Sequence, residues 1–423
     1  MKSHSTETVC VIDNGLFTSL AERLARDFKR VLYYASWEAA YPKMNEAYIG
    51  YGLKDVERVE SIWPHFDEID LFVFPDLFYG PMQVWLESHG KRVWGSRNGE
   101  ELEIYREVCK EQMAKAGLPV GPYEVVKGID KLRAYLKAHE NVWVKVDQWR
   151  GTFESFKSSN YRNVEPKLQE IEYQLGPLKN IIDFVVDDDL PDKIEVGIDA
   201  YCIDGQWPSK TLVGIEVKDL GYVGEFVKWD DIPEPIRRFN ASMAPVFRRY
   251  GYRNFFSTEI RIGKDHEPYM IDACCRCGAP PNELYQEFYS NLPDIISAGA
   301  DGELVDPEPK GKFGVEVIMQ SQWANERNWQ PLDIPEKIRE HVKLRFGAKI
   351  GDRHYVVPQW IGLKEIGAIV AWGDTLEAAL EMSKSIADQV DGYAVSIPDG
   401  AMEEAQEEMQ KSAEMGLHIF SKV

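Results

Sequence analysis

Residues 252–281, YRNFFSTEIRIGKDHEPYMIDACCRCGAPP, constrain the fold of this chain more than any other stretch. Phe256 to Ile262 alternates apolar and polar residues, Gly263-Lys264-Asp265 supplies a turn, and Glu267 to Asp272 runs back. That pattern predicts two strands joined by a tight turn. Their pairing brings Glu259 and Asp272 together, with Arg276 four residues beyond. Two carboxylates on adjacent strands suit Mg²⁺, a hard cation that takes oxygen ligands and bridges protein carboxylates to nucleotide phosphates. An arginine beside them can offset charge on a transferring phosphoryl group. Taken alone, the same residues read equally well as a surface hairpin with scattered charges.

The rest of the chain bears on that choice. At 423 residues it exceeds one ordinary core, so two to four domains are expected. A formal charge of -21 argues against nonspecific binding to nucleic acid or anionic membranes, since both repel an acidic surface. No apolar run approaches about 18 residues, and the start MKSHSTE lacks the basic-then-apolar order of a secretion signal. A cytoplasmic protein is expected. Six cysteines are too few for a disulfide scaffold. Cys274, Cys275 and Cys277 crowd together, but zinc would need a fourth ligand and better spacing. Small buried residues describe them better than a nucleophile does.

Thr8 to Ile12, the turn Asp13-Asn14-Gly15, a helix over Leu16 to Phe28 and the strand Arg30 to Tyr34 form a βαβ pattern, hence a parallel sheet. It resumes with Asp70 to Asp76, a helix over Pro81 to His89 and the strand Lys91 to Trp94. The first turn, DNGL, is no GxGxxG fingerprint, which disfavours a dinucleotide-dependent oxidoreductase. A charged helix over Glu100 to Ala116 stops at Gly117-Leu118-Pro119. Then follow a strand at Tyr123 to Val126, a helix over Ile129 to His139 and the strand Val142 to Val146. Lys145 near the end of that strand reads more often as a solvated edge residue than as a ligand. Strands at Ile181 to Val186 and Glu195 to Ile203 flank an acidic loop. Residues 301–312, DGELVDPEPKGK, look like a linker. Beyond it lie strands near Phe313 to Met319 and Ile366 to Trp372, a helix over Thr375 to Gln389 and an acidic helix over Asp399 to Met415. The histidines 65, 89, 266, 341 and 354 are scattered and read as surface or capping residues. Trp149, Tyr222, Trp323 and Trp329 are candidates for an aromatic pocket lining.

This order of pieces resembles the ATP-grasp superfamily, and within it phosphoribosylamine–glycine ligase. DLFVFPDLFYGPMQVWLESHGKRVWGS (70–96), the following helix with Arg106, GLP, VWVKVD, DFVVDDDLPDKIEVGIDAYCIDG (183–205), TEIRI…YMIDACCRCGAPP and IGAIVAWGDTLEAALEMS (366–383) carry the likeness. It implies a multidomain α/β and α+β chain: a Rossmann-like pre-ATP-grasp domain over 1–97, the ATP-grasp domain over 98–305 and a small C-terminal domain over 306–423. It also implies that Arg106 and Lys145 contact ATP phosphates, Lys145 also lying near the adenine. Backbone groups of Asp183, Phe184, Val185 and Val186 would face the adenine edge, and Glu195 would bind the ribose hydroxyls. Glu259 and Asp272 would hold Mg²⁺, with Mn²⁺ as the alternative. Arg276 would steady the γ-phosphate or an acyl-phosphate, and Arg150 would clamp the phosphates. Three departures stand out: Asp272-Ala273-Cys274 replaces the usual Glu-x-Asn, DQWRGTFESF (147–156) has one glycine where the family has a glycine-rich flap, and GYVGEF (221–226) echoes only part of the family's substrate segment.

The activity implied is that of an ADP-forming carboxylate–amine ligase acting on small molecules through an acyl-phosphate, which needs no nucleophilic side chain. Two alternatives keep the fold: a non-catalytic ATP-binding module, consistent with Cys274, and a kinase or phosphotransferase. Homodimers are common in the superfamily, and the sequence leaves the oligomeric state open.

Overall fold

The run Val9-Cys10-Val11-Ile12 is wholly buried, as a central strand covered on both faces should be. Val9 and Val11 enter one apolar cluster and Cys10 and Ile12 another, on the opposite face. In this computed structural model, which describes residues 3–36, 45–148, 155–190, 194–217 and 219–398 with positions 407, 410 and 414, the run belongs to β1 (His4–Asp13). β1 pairs in parallel with β2 (Phe28–Ala35), which pairs with β3 (Val56–Arg58). On its other side lies β4 (Leu71–Val73), then β5 (Arg92–Trp94). The sheet order is therefore β3-β2-β1-β4-β5. Helices α1 (Thr18–Leu24) and α2 (Gly80–Ser88) are its connections.

The charged helix expected over Glu100 to Ala116 is broken. α3 (Glu101–Ile104) and α4 (Arg106–Lys115) meet at Tyr105, whose backbone is extended at φ -113 and ψ 90. A distant partner holds the break, since the Arg106 N–H donates to Asp147 Oδ1 at 2.9 Å, outside the helix.

A four-stranded antiparallel sheet follows, in the order β6 (Tyr123–Lys127), β9 (Asp183–Asp188), β7 (Val142–Val146), β8 (Ser155–Ser158). α5 (Ile129–Ala138) and α6 (Tyr161–Leu175) cover it, burying Leu132, Leu136, Leu168 and Ile171 against Val144 and Phe184.

The third unit is a large antiparallel sheet built from β10 (Ile194–Ile203), β11 (Lys210–Val217), β12 (Gly221–Lys228), β13 (Arg253–Ile262), β14 (Pro268–Cys274) and β15 (Phe313–Ser321). Past three short strands, β16 (Gln330–Leu332), β18 (Gly347–Ile350) and β19 (Arg353–Val356), which form their own sheet, β17 (Val342–Leu344) and β20 (Glu365–Gly373) complete the order β14-β13-β10-β11-β12-β15-β20-β17. One sheet thus runs across residues 301–312. α7 (Glu234–Tyr250) lays Ile236, Phe239, Met243 and Phe247 on one of its faces. α8 (Asn282–Phe288) and α9 (Leu292–Ala300) cover part of the other. The helix expected at 399–415 lies outside the described residues save for isolated positions.

Candidate functional site

The hairpin forms as its alternation requires. β13 and β14 pair antiparallel, and Glu259 stands directly opposite Asp272, next to a register irregularity between Glu259 and Ile260. On the far side of β13, Glu259 faces Gly197 of β10, which in turn faces Gly214 of β11. A Cβ on Gly197 would come within 2.2 Å of the Thr258 carbonyl oxygen, so the backbones here approach too closely for any side chain. Glu195 and Glu216 sit two residues from these glycines and share the Glu259 face, because side chains alternate along a strand.

β14 is the edge of the large sheet, and the small sheet meets it through Lys145. The lysine is 2% exposed, contrary to the solvated-edge reading. Its Nζ donates to the Ile271 carbonyl and lies 3.1 Å from Asp272 Oδ2 and 3.6 Å from Asp187 Oδ2. Arg106, also buried, brings its Nε to 3.5 Å from Asp272 Oδ1 while its Nη1 donates to the Val146 carbonyl at 2.9 Å. Lys110, one turn along α4, reaches Asp187 Oδ1 at 2.6 Å. Three cations from α4 and β7 and two acids from β9 and β14 therefore converge where the two sheets meet.

The two hairpin acids experience opposite fields. Burial pushes Asp272 up, but Lys145 and Arg106 outweigh it and hold the carboxyl below the usual range. Glu259 is driven well above the usual range by burial and then by Glu216, Asp272 and Glu195, with Lys145 opposing. An acid crowded by like charges is one that a divalent cation would relieve. Mg²⁺ commonly takes one or two carboxylates and completes its shell with phosphates and water. Glu259 and Asp272 fit that role, although the described residues contain no group of three or more His, Cys, Asp or Glu that could hold a metal.

Other expected site residues stand differently. β9 lies between β6 and β7 and pairs with both, so the backbone groups of Asp183 to Val186 are engaged in two ladders. The chain leaves the sheet only after Asp188. Glu195 is exposed and lies 3.4 Å from Arg261, which also approaches Asp189 at 3.7 Å and Trp143. Arg276 donates through Nε to Glu103 Oε1 and through Nη1 to the Cys277 carbonyl, both at 2.9 Å. Glu103 also accepts from the Cys275 N–H at 2.6 Å, fixing the post-hairpin segment to α3. Arg150 and Trp149 lie outside the described residues. Cys274 is buried opposite Ser257. Among the histidines, His341 and His354 are buried, not surface residues as expected.

Lys110, Asp187 and Asp147 join the site without having been singled out from the sequence. Lys110 follows Arg106 by four positions, the spacing that places two side chains on one helix face.

No protein-family model matches the chain, and no curated protein matches it significantly. Solved structures do. Phosphoribosylamine–glycine ligase from Thermotoga maritima superposes with a TM-score of 0.68 at 17% identity, over 92% of this chain and 98% of the other. The biotin carboxylase domain of the Hydrogenobacter thermophilus 2-oxoglutarate carboxylase, solved with MgADP and bicarbonate, gives 0.67 at 12% identity over 99% of both chains. L-amino acid ligase from Bacillus licheniformis gives 0.57 at 13% identity, over 92% of this chain and 98% of the other. All three are ATP-grasp enzymes. With superpositions that cover 92% to 99% of this chain, the chain has the ATP-grasp fold.

Proposed function

We propose that this protein is an ADP-forming ligase that activates a small carboxylate with ATP and transfers the acyl group to an amine. The observation that carries this reading is the ion-paired junction of Lys145, Arg106 and Asp272 between the two sheets. Lys145 and Arg106 are charges held in a buried place by acids, and a polyphosphate would exchange those acid contacts for phosphate contacts at little further cost in desolvation. Lys110, on the same helix face, extends the cationic surface. Mg²⁺ on Glu259 and Asp272 would neutralise phosphate charge. Arg276, held by Glu103 and the Cys277 carbonyl, sits two residues beyond the end of β14 as a fixed guanidinium for the activated carboxylate. Such a site acts by positioning and electrostatics.

A second reading, an ATP-binding module without turnover, is favoured by Cys274, a soft thiol where the resembled ligases carry an oxygen ligand. The deciding measurement is ATP turnover with Mg²⁺, with and without a pool of small carboxylates and amines, resolving ADP, AMP and phosphate. ADP with phosphate only in the presence of the pool is the expected result. ATP bound with no product favours the second reading, ADP without phosphate marks a kinase, and no ATP binding refutes the proposal.

A further inference from the structure

In a chain of net charge -21, positive charge gathers at one place away from the nucleotide junction. Lys210 opens β11 and Lys228 closes β12, and the register of the two strands sets them directly opposite each other. Like charges so placed repel and destabilise the strand pair. Both lysines are exposed, and neither has an ion-pair partner among the described residues. Lys310 and Lys312 come in from the segment just before β15. The four lysines line one open crevice of about 480 Å³, shared with Phe226 and Asp374. That volume suits a small ligand.

The acids nearby do not balance this charge. Asp374 is the one carboxylate of the lining. Glu225, buried at 1% exposure, takes Lys312 at 2.9 Å. Glu287 lies 3.5 Å from Lys310 but is already met by Lys343 and Arg26. Setting Asp374 and Glu225 against two of the lysines still leaves two positive charges side by side. A bound anion would relieve their repulsion.

The crevice is held open by backbone bonds. The Lys310 N–H donates to the Phe288 carbonyl at 2.9 Å, the Lys312 N–H to the Gly373 carbonyl at 3.0 Å, and the Phe226 N–H to the Lys312 carbonyl at 2.8 Å. A Cβ on Gly311 would come within 2.9 Å of the Gly373 carbonyl oxygen, so a side chain there would push the segment off the end of β20. The place is also distinct from the hairpin acids. Gly214 of β11 faces Gly197, which faces Glu259. Lys210 lies four residues along β11 from Gly214, roughly 13 Å at about 3.3 Å per residue, and β10 stands between β11 and β13.

We infer that this crevice is a second anion site, which binds a small molecule carrying several phosphoryl groups. A planar carboxylate is best met by the fork of an arginine, and the lining holds none. Lysine ammonium groups are compact point charges with rotatable donors, able to meet a tetrahedral phosphate from several directions. The acidic surface around the crevice disfavours a long polyanion such as nucleic acid.

The probe is inorganic tripolyphosphate in EDTA, titrated into the full chain at constant ionic strength and followed by calorimetry, with citrate as the carboxylate control. Saturable binding tighter than that of citrate is expected. The double variant Lys210→Gln/Lys228→Gln should weaken it by about 10-fold or more, as for loss of charged hydrogen bonds. Lys131→Gln/Lys137→Gln removes the same charge from exposed positions of α5 and should leave binding unchanged. The component of binding that the crevice variant removes should persist in Lys145→Met, which separates it from the nucleotide junction. Without ligand, the crevice variant should unfold at no lower temperature than the wild type, because it removes a repulsive pair. Absence of saturable binding, binding no tighter than citrate, or an equal loss in the α5 variant would overturn the inference. So would loss in Lys145→Met with the crevice variant unaffected. Binding of a short single-stranded RNA with none of tripolyphosphate would replace the small ligand by nucleic acid and likewise overturn it.

Discussion

Lys145 and Asp272 show how far a single residue's meaning depends on what folds against it. In sequence, Lys145 is one lysine near the end of an apolar strand, and only burial at 2% exposure between two sheets makes it a candidate site residue. Asp272 is legible as an acid on a hairpin, and its register with Glu259 follows from the alternation. That Lys145 and Arg106 would both converge on it is not, because they come from elements more than a hundred positions away. Lys145→Met keeps the apolar stem and removes the charge. Since Asp272 retains Arg106 and is about a third exposed, the expected cost in stability is within about 1 kcal/mol. ATP affinity is expected to fall by 10-fold or more, as for loss of a charged hydrogen bond of about 1.5–3 kcal/mol. Denaturant titration and calorimetry read the two quantities separately, and an unchanged ATP affinity would remove Lys145 from the site. If Glu259 holds Mg²⁺ as proposed, Glu259→Gln is expected to abolish Mg²⁺-dependent turnover with the fold kept, because it removes the proposed metal-binding charge but little volume.

At the level of elements, the sequence reads well where periodicity is unopposed and poorly where a polar residue inside an element does something non-local. The strand Val142–Val146 has the expected bounds, and β6 and β9 of the same sheet shift by only a residue or two. α6 was legible in principle: Asn160 caps it by accepting from the Asn163 N–H at 3.1 Å, and Val164, Leu168, Ile171 and Leu175 line its buried face. Pro166 within that stretch masks the pattern, because a proline is usually read as a helix breaker. The break at Tyr105 is the opposite case. Nothing in REVCKEQMAK announces that the chain kinks just before it; the acceptor for the Arg106 N–H is Asp147, at the far end of another strand. That carboxylate therefore caps α4 and aims Arg106 at once. Asp147→Ala is expected to cost about 1 kcal/mol, as for loss of a helix N-cap, and to weaken ATP binding although Lys145 is untouched. Asp147→Asn keeps an acceptor oxygen and should restore most of both. A variant pair with equal ATP affinity would show that the break is structural alone.

The whole molecule is held across its parts by buried ion pairs that no local pattern reveals. Arg345 reaches Glu283 at 2.7 Å and Glu365 at 2.6 Å, and Lys343 and Arg26 both pair with Glu287, at 2.5 and 2.8 Å. α8 is thereby fixed to β17, and Glu287 on it also to the N-terminal domain. Arg339 adds a further link, donating to Glu22 of α1, to the Val342 carbonyl and, at 3.2 Å, to His354 Nε2 on β19. That last bond requires a neutral imidazole. Burial, then Arg339 and Lys349, lower His354 to about 4. Between pH 6.5 and 4 the unfolded chain therefore binds a proton at this position that the folded chain does not, so stability falls as pH falls through that window. Glu287 behaves in the familiar acidic way: burial raises it, but Lys343 and Arg26 win and hold it at about 2, so its contribution is complete above about pH 4.5 and is lost only below. Acid unfolding should accordingly proceed in two separable ranges. Urea titrations at pH 7, 5.5, 4.5 and 3 are expected to show a loss of on the order of 2–3 kcal/mol from His354 across the upper range. His354→Gln, which can still accept from Arg339 but does not titrate, should flatten that range and leave the lower one in place. If both proteins lose stability in parallel between pH 6.5 and 4, the Arg339–His354 bond is not what ties β19 to the first domain against acid.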